Sequence, residues 1–279
     1  MENLIQTLRA ELDAKNPLLP VETKRIVLKE VLQSYVLDYL YNHPVYRGLN
    51  FYGGTCLHVV YGLERLSEDL DLDNGAGLPV ESLGDDLCMI FERSFGYRDA
   101  SVKMQTGESG VYRITLKFPV LNILGLSAHT NQFLHLKVEI SHHRQTAVIQ
   151  KTPVFHHGRS FVPSHFSLET MMAGKIIACI ERNFQRGREG AFIKGRDFYD
   201  LLWFMQKGIR PLDEKLLKDG KSPYTLQSAM GELKKKVEAI TVDDLAVDIL
   251  PMFESHQYAK SWLEAFHSNF GRYVIEYLK

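Results

Sequence analysis

The chain has 279 residues, of which 45% are hydrophobic and 24% charged, and its formal net charge is -1. This composition is typical of a globular protein, and it excludes a wholly disordered chain and a uniformly basic surface. The 3 cysteines are far apart and form no CxxC pair, which argues against a thiolate zinc site and favours buried thiols in a reducing cytosol. The first residues lack a signal-peptide pattern, and no apolar run reaches the ~20 residues of a membrane helix. We therefore expect a cytoplasmic protein that makes no membrane contact.

The hydrophobic pattern of the first half predicts a mixed α/β fold. Apolar residues with helical spacing predict a long helix over 21–41, and the His43-Pro44 pair ends it. A short strand over 49–52 leads through Gly53-Gly54-Thr55 into a helix over 56–63. Further elements are predicted in the order helix, strand, strand, strand, over 80–95, 101–105, 111–118 and 133–140.

The second half is predicted to be helical. Ser167 resembles a helix N-cap, and it opens a helix to about residue 184. A basic, glycine-containing loop over 185–195 precedes a helix over 197–206. Further amphipathic helices are predicted over 223–240, 242–250 and 258–277. We therefore place the α/β core in residues 1–155 and a helical domain that completes the active site in residues 156–279.

An unusual segment of the first half alternates aspartate with leucine. Asp69 and Asp71 project from the same side of one predicted strand, and Leu70 and Leu72 point the other way. Like charges at this spacing repel one another, and a divalent cation would compensate them. Two hard oxygen ligands favour Mg²⁺, although surface acids on a solvated edge strand would give the same pattern.

The glycine turn ahead of this segment points to a phosphate. Glycines allow backbone N–H groups to approach an anion, and the N-terminus of the following helix favours negative charge. A simple tight turn is the alternative reading. Together, Gly54 and Thr55 predict a cradle for a triphosphate beside the acidic strand.

Glu139 is a candidate third acid. It lies on the polar face of an otherwise apolar strand, as expected if this strand is a neighbour of the Asp69–Asp71 strand. Pairing with Lys137, two positions away on the same face, is the alternative.

Two segments carry a family resemblance: Gly53-Gly54-Thr55 and Arg65-x-Ser67-x-Asp69-Leu70-Asp71. They resemble the signature of the AbiEii/AbiGii toxin family, which includes the MenT-type toxins and belongs to the polymerase-beta-like nucleotidyltransferase superfamily. The second family signature is similar to Lys175, Arg182 and Arg196-Asp197-Phe198-Tyr199-Asp200. The resemblance covers about residues 49–205. The chain departs from the family pattern at Glu139, where many superfamily members have Asp.

The second signature also makes physical sense. Lys175 and Arg182 are seven residues apart, so they share a helix face and can reach a common anion. Lys175 stands in an apolar run, where an unpaired ammonium would be costly. Asp197 could hold Lys175 or Arg182, accept a proton, or simply cap a helix, and Asp200 faces much the same side.

The resemblance implies a Mg²⁺-dependent nucleotidyltransferase toxin that is paired with an antitoxin and transfers NMP from NTP, with the 3′ end of tRNA as the acceptor. Two alternatives stay open: a small-molecule nucleotidyltransferase of the antibiotic-modifying kind, and a non-catalytic nucleotide-binding interaction protein. The expected metal ligands are Asp69, Asp71 and Glu139. The expected nucleotide-binding residues are Gly54, Thr55, Arg65, Ser67, Lys175 and Arg182. Asp69, Asp71, Glu139, Lys175 and Asp197 are expected to carry catalysis.

Overall fold

The structure is a computed structural model, and it describes residues 3–107, 110–142, 144–182 and 193–279. The chain divides into two compact units, Met1–Arg144 with Gln150–His165 and Gln145–Ile149 with Phe166–Lys279. The first unit extends past the boundary predicted at residue 155, and a short segment ahead of that boundary belongs to the second. No helix in the described part of the chain is long and apolar enough to cross a membrane.

The described residues of the first unit form four α-helices: α1 (Leu4–Asp13), α2 (Val21–Asn42), α3 (Gly53–Tyr61) and α4 (Leu83–Phe95). The predictions of α2 and α4 are confirmed. α1 was not predicted, and Asn3 caps it by accepting a hydrogen bond from the Gln6 N–H. α2 is buried on nearly all sides, and the buried positions include the polar Glu30 and Gln33.

Seven strands form a mixed sheet: β1 (Asn50–Tyr52), β2 (Leu70–Asp73), β3 (Ser101–Thr106), β4 (Tyr112–Phe118), β5 (Leu134–Ser141), β6 (Ile149–Lys151) and β9 (Ser164–Phe166). Their order across the sheet is β3-β4-β5-β2-β1-β9-β6. The β2–β5 and β1–β9 pairs are parallel, and β1–β2, β3–β4 and β4–β5 are antiparallel. A separate hairpin consists of β7 (Val154–His156) and β8 (Arg159–Phe161). The short strands β6 to β9 were not predicted.

One face of the sheet forms the core of the first unit. Every second residue of β4 and β5 is fully buried, from Ile114 to Phe118 and from Leu134 to Ile140. Burial of each such side chain stabilises the folded state by about 1.5–3 kcal/mol relative to an exposed position. An aromatic cluster joins α2 and α4 to this face, since Phe91 lies 6.3 Å from Tyr35 and 4.9 Å from Phe118 between ring centroids. The opposite face of β4 and β5 carries the polar residues.

The second unit is helical: α5 (Leu168–Glu181), α6 (Gly195–Gln206), α7 (Asp213–Lys218), α8 (Leu226–Glu238), α9 (Val242–Ile249) and α10 (His256–Tyr277). The predicted N-cap is confirmed, because the Ser167 side chain accepts from the Thr170 N–H. The predicted end of that helix at residue 184 and most of the basic loop over 185–195 lie outside the described residues. α7 is a single short helix that the hydrophobic pattern did not indicate.

Candidate active site

The end of β1 leads directly into the N-terminus of α3. The sequence predicted that this helix starts at Cys56, but the structure starts it at Gly53, so the glycine turn is the first turn of the helix. The reason is the backbone of Gly53, whose φ of 80° connects an extended Tyr52 to the helix without steric cost. The N–H groups of a first helical turn have no acceptor inside the helix. Gly53, Gly54 and Thr55 therefore form the first turn of a helix, the kind of position at which proteins commonly bind anions.

The two glycines are required by close neighbours. A side-chain carbon at residue 53 would lie 2.1 Å from Asp71 Oδ2, and one at residue 54 would lie 2.4 Å from Arg65 Nη2. The carboxylate of Asp71 and the guanidinium of Arg65 thus lie against the turn itself. Arg65 is only 1% exposed, and its Nη1 donates to the Leu66 carbonyl at 2.9 Å.

The sheet register brings two of the predicted acids side by side. Asp71 is the partner of Tyr52 in the antiparallel β1–β2 pair and of Glu139 in the parallel β2–β5 pair. Both carboxylates are half-buried on the polar face. Directly opposite residues in neighbouring strands are the closest pairs on a sheet face, so Asp71 and Glu139 can act on one ligand.

The next aspartate of the alternating segment has a structural role. Asp73 is buried, and its Oδ2 accepts from Asn50 Nδ2 at 3.0 Å and from the Gly75 N–H at 3.3 Å. These bonds tie the end of β2 to β1 and to the following turn. Asp69 immediately precedes β2 and is half-buried.

Glu139 has a cationic partner that the sequence pattern does not indicate. Arg113 faces it across the β4–β5 pair, and Arg113 Nε donates to Glu139 Oε1 at 2.6 Å. The alternative considered from the sequence was Lys137. Arg113 could have been found only by aligning the two strands, since it lies on the polar face of β4 and is far from Glu139 in sequence.

Two predicted nucleotide-binding residues hold the acidic segment in place. The Thr55 hydroxyl is fully buried, lies 2.7 Å from the Ser67 hydroxyl and donates to the Asp69 backbone carbonyl. Ser67 is 5% exposed, its carbonyl accepts from Gln33 Nε2 at 3.0 Å, and its N–H donates to Glu30 Oε1 at 3.2 Å. The side chains of Thr55 and Ser67 thus anchor the segment before β2, and the backbone N–H of Thr55 belongs to the first turn of α3.

The second signature forms its own cluster in the helical unit. Lys175 is on α5, and its Nζ lies 2.7 Å from Asp197 Oδ1 and 2.7 Å from Asp200 Oδ2. Both aspartates are on α6. Arg182, the C-cap of α5, donates to Asp197 Oδ2. Burial raises the pKa of the Asp197 carboxyl, but the neighbouring cations, Lys175 and Arg182 first, hold it well below its usual range. Asp197 is therefore ionised and fixes both cations.

Two further lysines stand beside this cluster. A shallow depression is lined by Arg182, Lys194, Asp197 and Lys236, together with apolar residues of α5 and α6. Lys236 Nζ donates to the carbonyls of Ile180 and Arg182 at 3.1 Å each, which stabilises the C-terminus of α5. No pattern in the sequence distinguishes Lys236 from the exposed lysines next to it, Lys234 and Lys235.

The comparisons with known proteins agree with the resemblance. The model of the family described as "Nucleotidyl transferase AbiEii toxin, Type IV TA system" matches residues 37–269. The chain belongs to this family. AbiEii membership makes it a nucleotidyltransferase of a type IV toxin–antitoxin system, with an NTP substrate and an antitoxin partner.

The fold of this AbiEii protein is shared with a solved structure, that of a candidate nucleotidyltransferase from H. pylori, at a TM-score of 0.51 and 19% identity. The match covers 89% of this chain and 92% of the other. No curated protein sequence matches the chain.

Nucleotidyltransferases of this kind generally use a divalent metal. In the part of the chain that the structure describes, no three His, Cys, Asp or Glu side chains lie close enough together to hold a metal ion. The donor chemistry nevertheless fits Mg²⁺, because Asp71 and Glu139 are neighbouring hard oxygen donors. Mg²⁺ is commonly held by one or two carboxylates together with substrate phosphates.

Proposed function

We propose that this AbiEii protein transfers an NMP group from NTP to the 3′ hydroxyl of tRNA in a Mg²⁺-dependent reaction. The supporting observation is the position of Asp71, which lies beside Glu139 in the sheet and against Gly53 in the first turn of α3. A carboxylate pair and an anion-binding turn at one place match the needs of a reaction on a triphosphate.

The triphosphate is proposed to bind at the first turn of α3. The N–H groups of Gly54 and Thr55 donate to phosphate oxygens, and the positive end of the helix dipole favours the same charge. Arg65 adds a fixed positive charge, since its guanidinium lies against Gly54. The buried Thr55 and Ser67 hydroxyls keep Asp69 and Asp71 at the turn.

Asp71 and Glu139 are proposed to hold Mg²⁺ together with oxygens of the triphosphate, and Asp69, just before β2, is proposed to complete the ligand set when the substrate binds. Bound there, the metal would lower the pKa of the acceptor hydroxyl and neutralise the leaving pyrophosphate. The bond from the acceptor 3′ oxygen to the α-phosphorus forms as the bond to the bridging oxygen of the β-phosphate breaks. Glu139 is within reach of Asp71 and is proposed to assist removal of the hydroxyl proton. Pyrophosphate leaves with the displaced bridging oxygen.

The cations of the second signature are proposed to neutralise negative charge on nucleotide phosphates. Lys175 and Arg182 are both bound by the ionised Asp197, so their positions are fixed before a substrate arrives. Pre-positioned cations of this kind favour the transition state because no reorganisation is needed when charge develops. The order of the two signatures along the chain supports this assignment.

The acceptor is tested by following the label. The protein is incubated with each α-labelled NTP, Mg²⁺ and total tRNA, and the RNA, protein and small-molecule fractions are separated. Label on RNA that requires Mg²⁺ supports the proposal. Label on a small molecule would instead identify an antibiotic-type enzyme, and bound NTP without transfer in any fraction would identify a nucleotide-binding interaction protein.

A further inference from the structure

The polar face of β3, β4 and β5 is unusual in its composition. The alternation along β3, β4 and β5 leaves nine side chains on the face opposite the core, three from each strand, and none of the nine is buried. They are Ser101, Lys103, Gln105, Arg113, Thr115, Lys117, His135, Lys137 and Glu139. We call this set the basic sheet face. All nine are polar.

The charge on this face is positive. Arg113 is neutralised by Glu139, to which it donates at 2.6 Å, and this leaves the charges of Lys103, Lys117 and Lys137. His135 lies in the same positive electrostatic environment. Burial lowers the pKa of His135, and the positive charges of Lys117 and other nearby lysines lower it further. The whole chain carries a net charge of -1, so this face differs from the rest of the protein.

The basic sheet face is continuous with the acid pair. One row across the strands runs from Asp71 through Glu139 and Arg113 to Gln105, and the adjacent row contains Lys137, Thr115 and Lys103. Neighbouring strands are about 4.8 Å apart, so the three steps from β2 to β3 span roughly 14 Å. A polyanion with its end at Asp71 could thus extend across the lysines on the same surface.

The composition of the face favours a nucleic-acid backbone over a protein partner. Protein interfaces have an apolar or aromatic centre, and the nine side chains provide none. Binding to a phosphate backbone needs clustered cations and hydroxyl or amide donors, all of which are present here. β3 is an edge strand of the sheet. An RNA can therefore reach the lysines from that edge without passing over another strand.

We propose that the basic sheet face binds the phosphate backbone of the RNA acceptor and thereby directs its 3′ end to Asp71 and Glu139. The inference rests on the proposed function, which it extends by naming the surface that receives the RNA. Lys103, Lys117 and Lys137 each contact the backbone and carry no base specificity.

The test measures RNA binding apart from chemistry. A short single-stranded RNA with a 5′ fluorescent label and a free 3′ hydroxyl is titrated with full-length protein, without NTP, between about 50 and 200 mM KCl. The variant K103Q/K117Q/K137Q is compared with K103R/K117R/K137R, which keeps the charges. The control K234Q/K235Q/K260Q removes three exposed lysines of the helical unit. Thermal melts confirm that all variants are folded.

We expect the first variant to lose about 10- to 100-fold in RNA affinity at 0.1 M salt, with the slope of log K against log[salt] smaller by about 2, since each single-strand phosphate contact contributes ~0.7. The arginine variant and the helical control should bind as the wild type does.

Wild-type affinity and slope in the first variant would overturn the proposal. Loss of antitoxin binding with RNA binding retained would overturn it in favour of a protein partner. Absence of label transfer to RNA by the wild type, measured separately, counts against the proposed function, whereas the binding result decides the role of the face.

Discussion

Gly53 and Asp71 are in contact in a way that leaves no room for a side chain. A Cβ atom at residue 53 would lie 2.1 Å from Asp71 Oδ2 and 2.9 Å from its Cγ. Gly53 also has a φ of 80°, a conformation that L-residues rarely adopt. The same glycine therefore sets the start of α3 and the position of the carboxylate on β2.

We expect Gly53→Ala to reduce nucleotidyl transfer sharply because Asp71 must move. The matched control is Gly62→Ala at the other end of α3, where φ is 72° but nothing lies within 4 Å of the added carbon. The backbone cost of about 1–2 kcal/mol is common to both variants. Thermal melts measure this backbone cost in each variant. Transfer rates at saturating NTP measure the effect of displacing the Asp71 carboxylate. Equal activity in the two variants would show that the Gly53–Asp71 contact does not matter.

Removal of the Lys175 ammonium should strongly destabilise the helical unit. Lys175→Met removes the ammonium from two carboxylates, Asp197 and Asp200, that are 5% and 0% exposed. Removal of one partner from a buried ion pair costs about 3–5 kcal/mol. The addition of Asp200→Asn should restore part of that loss because one buried charge disappears. Urea denaturation measures the free energy of unfolding of Lys175→Met and of the double variant.

The control for this prediction is Lys218→Met on α7. Lys218 also forms an ion pair, with Glu214 at 2.6 Å, but the two side chains are 64% and 58% exposed. An exposed pair contributes about 0–1 kcal/mol. If Lys175→Met cost no more than this control, the two buried carboxylates would not depend on Lys175 for compensation of their charge.

His58 should make the stability of the protein depend on pH near neutrality. Burial lowers the pKa of His58, but the hydrogen bond and charge of Glu30 and the Leu63 carbonyl raise it above its usual value. A raised pKa in the folded state contributes stability that is fully present below the unfolded value of about 6.5 and is lost as pH rises through the folded value. This matters for the site because the same Glu30 oxygen accepts from the Ser67 N–H.

The measurement is the free energy of unfolding of the wild type minus that of His58→Gln at several pH values. We expect this difference to decrease as pH rises from about 6 to about 8. His129→Gln, which changes an exposed loop residue, should leave the wild-type dependence intact. A difference that grows with pH would contradict the assigned direction of the pKa shift.

Long periodic elements of the fold could be predicted from the sequence. The helix predicted over 21–41 is α2, and the strands predicted over 101–105, 111–118 and 133–140 are β3, β4 and β5 within one or two residues. Strands of three residues such as β7 and β8 carry too few positions for a pattern of period two. The start of α3 was placed too late because glycine was interpreted as a turn, although it serves here as the first residue of a helix.

The candidate site was predictable in its residue types but not in its contacts. The spacing of Asp69 and Asp71 and the glycine turn indicated the chemistry. The register that pairs Asp71 with Glu139, and Glu139 with Arg113, depends on strand order, which the sequence does not specify. The buried hydroxyl pair of Thr55 and Ser67 could not be foreseen either, since both residues resemble ligand-binding positions when only the sequence is read.

The most direct test of the account is the rate at which α-labelled NTP is incorporated into RNA by the wild type, by Asp71→Asn and by the exposed control Asp99→Asn. Asp71 is half-buried and Asp99 exposed, so both variants should melt close to the wild type. We expect Asp71→Asn to lose roughly 10²–10³-fold or more in rate, the cost of removing one group that stabilises the transition state, and Asp99→Asn to keep the wild-type rate. A folded Asp71→Asn protein that incorporated label at the wild-type rate would contradict the assignment of the active site.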